Sequence, residues 1–374
     1  MRLKKTLVIT AAILGASSWL APQGFSMNMS MSHRHQGYVQ ENLVSDDTSK
    51  VPADHMDINL VNPWGVAFFP GGPFWINENG SGLSSLFIGD GTGFAGANPA
   101  LAVTIPPPSG GSSPSAPTGI VANTSFVFPL ANNSPALFIF STEDGTISGW
   151  NLGDGIPGTA ELKVDNSTES CGGATGAVYK GLASGETSAG VFLYAANFRC
   201  GTVDVFDGTF SPAMSGQFQD SSIPSGYAPF NITNISGNLF VTYAKQDSAK
   251  HDDSAGPGNG FVDVFDTGGK LIKQFASRGV LNSPWGVAIA PYNFGSASNT
   301  ILIGNFGDGH INAFNATTGF SLGALRDASR HPIAIDGLWS IVFGGAASSD
   351  PAQLYFTAGP NGESDGLFGK LTPQ

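Results

Sequence analysis

Short runs in which apolar and polar residues alternate recur along this chain, always in the same order relative to their neighbours. The clearest pair is Gly201-Thr202-Val203-Asp204-Val205-Phe206-Asp207 and Gly260-Phe261-Val262-Asp263-Val264-Phe265-Asp266. Looser copies are Gly309-His310-Ile311-Asn312-Ala313-Phe314-Asn315 and Gly145-Thr146-Ile147-Ser148-Gly149-Trp150-Asn151. A period of two is that of a strand with one buried face. Before these runs stand more continuously apolar ones, at Leu137 to Phe140, Phe192 to Ala196, Leu239 to Tyr243 and Ile301 to Gly304, with a last at Leu354 to Thr357. Each is expected to turn through a Gly-bearing hairpin into a third strand. Earlier still comes an opening phrase, plainest at Asn62-Pro63-Trp64-Gly65-Val66-Ala67 and Ser283-Pro284-Trp285-Gly286-Val287-Ala288. Weaker openings begin at Pro117, Thr175, Ala228 and Leu338. A shorter fourth strand follows at Leu101 to Ile105, Leu271 to Phe275 and Ser321 to Leu325.

Aligning Gly65, Gly119, Gly176, Phe230, Gly286 and Ser340 gives steps of 54, 57, 54, 56 and 54 residues. Four strands per step leave no room for crossover helices. The pattern therefore predicts an all-β, six-bladed β-propeller over residues 38–372, each blade a four-stranded antiparallel sheet. A right-handed β-helix would show a much shorter period. The last repeat ends after its third strand, while Tyr38 to Val44 reads as a strand with no repeat of its own. We expect this N-terminal strand to complete blade six and close the ring, which removes two open sheet edges.

Gly and Pro together make up 75 of the 374 residues (51 and 24), and only 12% are charged, which suits a turn-rich β chain and excludes a helix-rich one. Arg2, Lys4 and Lys5 followed by an apolar run from Leu7 to Leu20 read as a secretory signal peptide over residues 1–26, too short for a membrane span. Residues 27–37 are then expected to form a disordered tail, and the mature chain to be secreted or periplasmic. Removing three of the 16 basic residues leaves 13 against 28 acidic ones, a net charge of −15. Nucleic acid and anionic membranes are poor partners for such a surface; cations or neutral ligands fit better. In an oxidising compartment the two cysteines, Cys171 and Cys200, are expected to be bonded. A monomer with no membrane span after signal removal is expected.

The Asn-Pro-Trp-Gly opening at 62–65, the Lys-His-Asp-Asp-Ser-Ala-Gly-Pro-Gly-Asn-Gly-Phe-Val-Asp-Val-Phe-Asp run at 250–266 and Gly-Leu-Trp-Ser-Ile-Val-Phe-Gly at 337–344 resemble an uncharacterised family of secreted bacterial six-bladed propellers. Some of its members carry a PEP-CTERM sorting segment, and its relatives include NHL and SMP-30 type propellers. The chain departs from the sorted members at Leu371-Thr372-Pro373-Gln374, where no anchor follows the last strand. The resemblance implies fold and export; that family has no settled activity to lend.

In a propeller the loops from strand four to the next strand one, and from strand two to strand three, emerge on one face. That face collects Asp54, His55, Asp57, Asn59 and Asn62 before blade one, and Arg330, His331 and Asp336 before blade six. Its hairpins carry Glu78, Glu143, Asp144, Arg199, Asn305, Asp308, Glu363 and Asp365. The blade-four hairpin at 245–259 is longer than its sisters and brings His251, Asp252 and Asp253. Long loops on a rigid frame commonly carry binding. One reading joins His251, Asp252 and Asp253 with His55, Asp57 or His331 around a divalent cation (Ca, Mn, Fe or Zn); the other is a solvated loop whose carboxylates cap their own turns. Trp64, Trp285 and Trp339 either pack the blades together or stack on a flat ligand. Asn197 and Asn305 either point into the mouth or satisfy their own hairpins.

The chain thus reads as a secreted module binding a small molecule, glycan or protein on this face, and the sequence leaves open whether it is an enzyme. The alternative is a metal-dependent hydrolase or lactonase of SMP-30 type, whose first-strand Glu has no match here. A second alternative is copper binding by the Met/His-rich stretch Met27 to His35. No His-Glu-x-x-His, phosphate loop or Cys cluster occurs.

Overall fold

The computed structural model describes residues 37–374. The expected signal peptide and all but the last residue of the expected tail, including the Met/His stretch, lie outside the described residues. The described chain is a six-bladed β-propeller. The inner strands, which line the axis, are Pro63–Ala67, Pro117–Ala122, Tyr179–Thr187, Tyr227–Ile235, Pro284–Ile289 and Leu338–Phe343. Each leads outward through three antiparallel neighbours.

The ring closes as the chain's ends suggested. Tyr38–Ser45 pairs antiparallel with Leu367–Pro373, so blade six takes its outer strand from the N-terminal side and its three inner ones from the C-terminal side. Tyr38 is buried in the joint, its hydroxyl donating to Phe294 O at 2.9 Å and its ring 4.8 Å from that of Phe294. His55–Met56 then adds a short parallel strand outside the closing strand.

Close approach of neighbouring inner strands explains the repeated glycine. A Cβ at Gly286 would meet Trp339 O at 2.7 Å, and one at Gly119 would collide with the backbone of Leu182. Each inner strand carries an irregularity in register at this point, as between Pro63 and Val66 and between Pro284 and Val287.

The same contacts correct the repeat alignment in blades three and four. The residue facing the next blade is Gly181, not Gly176, and in blade four it is Asn231, not Phe230. Gly176 lies in a turn at φ 86°, just after a small hairpin of Ser170–Cys171 with Ala174–Thr175. That hairpin lengthens the entry into blade three, so the repeats are less even than the sequence suggested. Cys171 and Cys200 are bonded, tying it to the hairpin between strands two and three of the same blade.

Apolar clusters fill the spaces between blades, and one more, of Trp64, Phe198, Ala228, Phe230, Ala244, Trp285 and Trp339, sits on the axis. It occupies the ends of the inner strands nearest the strand 4–1 and 2–3 loops. Beyond it, between the later halves of all six inner strands, lies a cavity of about 310 Å³ lined by Val66, Ile120, Leu182, Ile232, Val287 and Ile341.

Candidate functional site

One position of the inner strand points at the axis in every blade. Around the ring it is occupied by Trp64, Thr118, Lys180, Phe230, Trp285 and Trp339. Trp64 and Trp339 stack, with centroids 3.4 Å apart and planes at 20°. Trp285 meets both edge-on at 6.1 and 5.8 Å, and Phe306 covers the free face of Trp339 at 4.0 Å. All three indoles are buried. This corrects the stacking expectation for Trp64, Trp285 and Trp339: their faces are filled by one another and by phenylalanine, so they plug the channel rather than line it. Trp339 Nε1 donates to Asn62 Oδ1 and Trp285 Nε1 to Lys180 O, each at 3.0 Å. Trp64 Nε1 has no partner among the described residues.

Lys180 is the one charged member of this ring. Its side chain is only 2% exposed, with Nζ 5.1 Å from the Trp64 ring centroid and 6.0 Å from that of Phe198. The ammonium donates to Glu143 Oε1, from the blade-two hairpin, and to Asp252 Oδ1, from the long blade-four loop, at 3.1 Å. Asp252 Oδ1 also meets His251 Nδ1 at 2.9 Å. Burial alone would lower the Lys180 pKa, but the carboxylates of Glu143 and Asp252 outweigh it and hold the ammonium charged. The His251 contact, then the Lys180 charge, push the Asp252 carboxyl well below its usual range. In turn Asp252 raises His251.

The network continues around the mouth. Glu143 Oε2 accepts from Asn79 Nδ2 at 2.8 Å, and Glu363 Oε2 accepts from Asn62 Nδ2 at 2.7 Å. Glu363 sits at φ 66°, a strained backbone for a residue with a side chain. Burial, opposed by the Asn62 bond and reinforced by Glu143, raises its pKa. Burial likewise raises Asp144 and Asp253. Blades one, two, three, four and six thus each place a polar side chain in one hydrogen-bonded arc above the aromatic plug, from Glu363 through Asn62, Asn79, Glu143 and Lys180 to Asp252. Glu143 and Asp252 bond the one buried ammonium, Glu363 adds a third carboxyl nearby, and acidic groups outnumber basic ones.

Of the expected cation ligands, His251 and Asp252 come together, joined by Glu143. Asp253 lies beside them, bridged through its backbone to Gln246, with one carboxylate oxygen buried and unbonded. His55 and His331 do not join them. His55 lies on the outer edge of blade six, and His331 is 79% exposed, turned towards Asp327 at 3.6 Å. Asp57 is buried and accepts the amides of Asn59 and Ala100, at 3.1 and 2.6 Å, so it braces a loop. Both asparagines brace their own hairpin and the connection that leads into the same blade. Asn197 accepts from Val178 N and Cys200 N and donates to Asp204, while Asn305 donates to Val280 O and to Asp308.

Sequence reasoning missed Lys180. The signal was present: once blade three is aligned on Gly181, a lysine stands where three sister blades have tryptophan.

No family model matches the chain. Two proteins of Acanthamoeba polyphaga mimivirus are similar to it along most of its length. "Uncharacterized protein R648" is 32% identical over 339 residues, which are 88% of this chain and 78% of the relative. "Uncharacterized protein L690" is 31% identical over 332 residues, 86% of this chain and 82% of the relative. Among solved structures, the soluble aldose sugar dehydrogenase of Escherichia coli superposes with a TM-score of 0.53 at 11% identity, covering 90% of this chain and all of the other. A Bacteroides thetaiotaomicron protein of unknown function gives 0.52 at 10% identity, over 91% and 76% of the two chains. At such identities the likeness shows the propeller fold alone.

Proposed function

Because the chain belongs to the family of the mimivirus proteins R648 and L690, both uncharacterised, we propose its function from the site alone: a binding module that takes a positively charged ligand at the propeller mouth. One observation carries this reading. Two carboxylates from two blades, Glu143 and Asp252, bond one buried ammonium, and a third, Glu363 of blade six, lies near enough to feel its charge, which leaves the mouth net negative on a rigid frame. The solvent-facing side of Asp252, itself 66% exposed, is where such a ligand would dock.

The ligand's charge would come from a divalent cation (Ca, Mn, Fe or Zn) or from an organic ammonium. A metal among Glu143, His251 and Asp252 must share two carboxylates with the Lys180 ammonium, whose charge repels it. This observation weighs against the metal-dependent hydrolase and favours an organic cation. The Cys171–Cys200 bond supports placing the protein outside the reducing cytosol. Among the described residues no helix is long and apolar enough to cross a membrane.

The test is calorimetry on the full chain with Ca, Mn and Zn salts and, separately, with a primary and a quaternary amine. Binding by the wild type and its loss in Asp252→Asn are expected. Absence of heat with every probe, or a variant that binds as well as its parent, would overturn the reading.

A further inference from the structure

Asp204 and Asp263 occupy the same position in the third strands of blades three and four, opposite Ala195 and Val241 of their second strands. Their surroundings differ completely. The Asp204 carboxylate accepts from Asn197 Nδ2 at 2.8 Å, Tyr179 Oη at 3.1 Å and Thr202 Oγ1 at 2.8 Å. In blade four the strand pairing puts Tyr243 at the place of Asn197, Pro229 at that of Tyr179 and Phe261 at that of Thr202. Two of the three donors are gone. Asp263 is nevertheless fully buried, and neither carboxylate oxygen has a hydrogen-bond partner.

The groups crowded against Asp263 are Asp220, from the connection into blade four, Tyr243 and Gln274. None is cationic. Gln274 lies opposite Asp263 on the outer strand, where its amide nitrogen donates to Ser222 Oγ at 3.0 Å and its oxygen accepts from no described residue. Burial, and then the Asp220 charge, raise Asp263 to about 7, and burial with the same two carboxylates raises Tyr243. A buried carboxylate facing a second one, with Tyr243 and Gln274 near but no hydrogen bond of good geometry to either of its oxygens, is stabilised by taking up a proton or a cation.

We infer that Asp263 and Asp220 form a site for a hard divalent cation of the calcium type, with the oxygens of Tyr243 and Gln274 beside them. Every available donor is oxygen, the set that calcium prefers and zinc or copper does not. Asp220 is half-buried and Gln274 exposed, so the site has a route from solvent. It lies between a third strand and an interblade connection, away from the channel mouth, and it does not depend on the ligand proposed there.

The experiment is a thermal titration of the full chain after chelation, adding Ca, Mg or Mn salts to the wild type, Asp263→Asn, Asp220→Asn and, as a control for the mouth, Asp252→Asn. Calcium at a hundredfold excess over Kd should raise the wild-type midpoint by about 4 °C. The Asp252 variant should keep that rise and the other two should lose it. Asp220→Asn, on the solvent side, preserves the test if the buried variant does not fold. The inference is overturned if no cation moves the wild-type midpoint, or if Asp263→Asn responds as the wild type does. A midpoint indifferent to cations whose fall through neutral pH is steeper in the wild type and Asp252→Asn than in Asp263→Asn would show that the pair holds a shared proton instead.

Discussion

The ammonium of Lys180 lies 5.1 Å from the centroid of the Trp64 indole, held there by Glu143 and Asp252 from two other blades. One lysine therefore joins the acidic ring of the mouth to the aromatic plug beneath it.

Replacing that lysine should be costly. Lys180→Met removes the counter-charge from Glu143, whose side chain is only 12% exposed. Breaking a buried pair on one side typically costs about 3 kcal/mol. Adding Glu143→Gln removes the stranded charge, so the double variant should recover much of the loss. Urea denaturation of the three proteins checks this; equal losses in the single and double variants would mean that the pair is not coupled.

Removal of residues 38–45 should lower the melting midpoint of the whole domain, because the edge of Leu367–Pro373 is opened and the blades no longer form a closed ring. Tyr38→Phe removes the hydroxyl that donates to Phe294 O and accepts from Ala297 N, and should cost about 2 kcal/mol. A truncated protein that melts like its parent would refute closure by this strand.

Glu78 gives stability a specific pH dependence. Fully buried, with Oε1 unbonded and Oε2 accepting from Ser81, it is raised by burial from 4.5 to about 8. The folded state holds this proton more tightly than the unfolded one. Its contribution is thus complete below about pH 4.5 and is lost as pH rises to about 8, by up to about 1.4 kcal/mol per unit. Glu78→Gln should flatten the decline in the urea midpoint between pH 5 and 8, and a slope equal to wild type would contradict the assignment.

The Cys171–Cys200 bond closes a loop of 29 residues' separation. Its loss in Cys171→Ser with Cys200→Ser should destabilise the protein by about 3 to 4 kcal/mol in the chain-entropy picture. Denaturation with and without reductant should agree for the double variant and differ for the wild type.

The sequence by itself determined the propeller, its number of blades and its closing strand, because these depend on periodic burial and on local turns that every blade repeats. It also singled out the face that carries Glu143, His251, Asp252 and Glu363. What it could not determine is which of those residues meet. Glu143, Lys180, Asp252 and Glu363 belong to four blades, and only the curvature of the ring brings them to one axis. The same curvature keeps His55 at an outer edge and turns three tryptophans from a ligand platform into a plug. Lys180 and Asp263 show the limit most clearly. Each reads as an ordinary strand residue, and each becomes chemically distinctive only through neighbours that folding supplies: two carboxylates around the lysine, and no bonded donor around the aspartate.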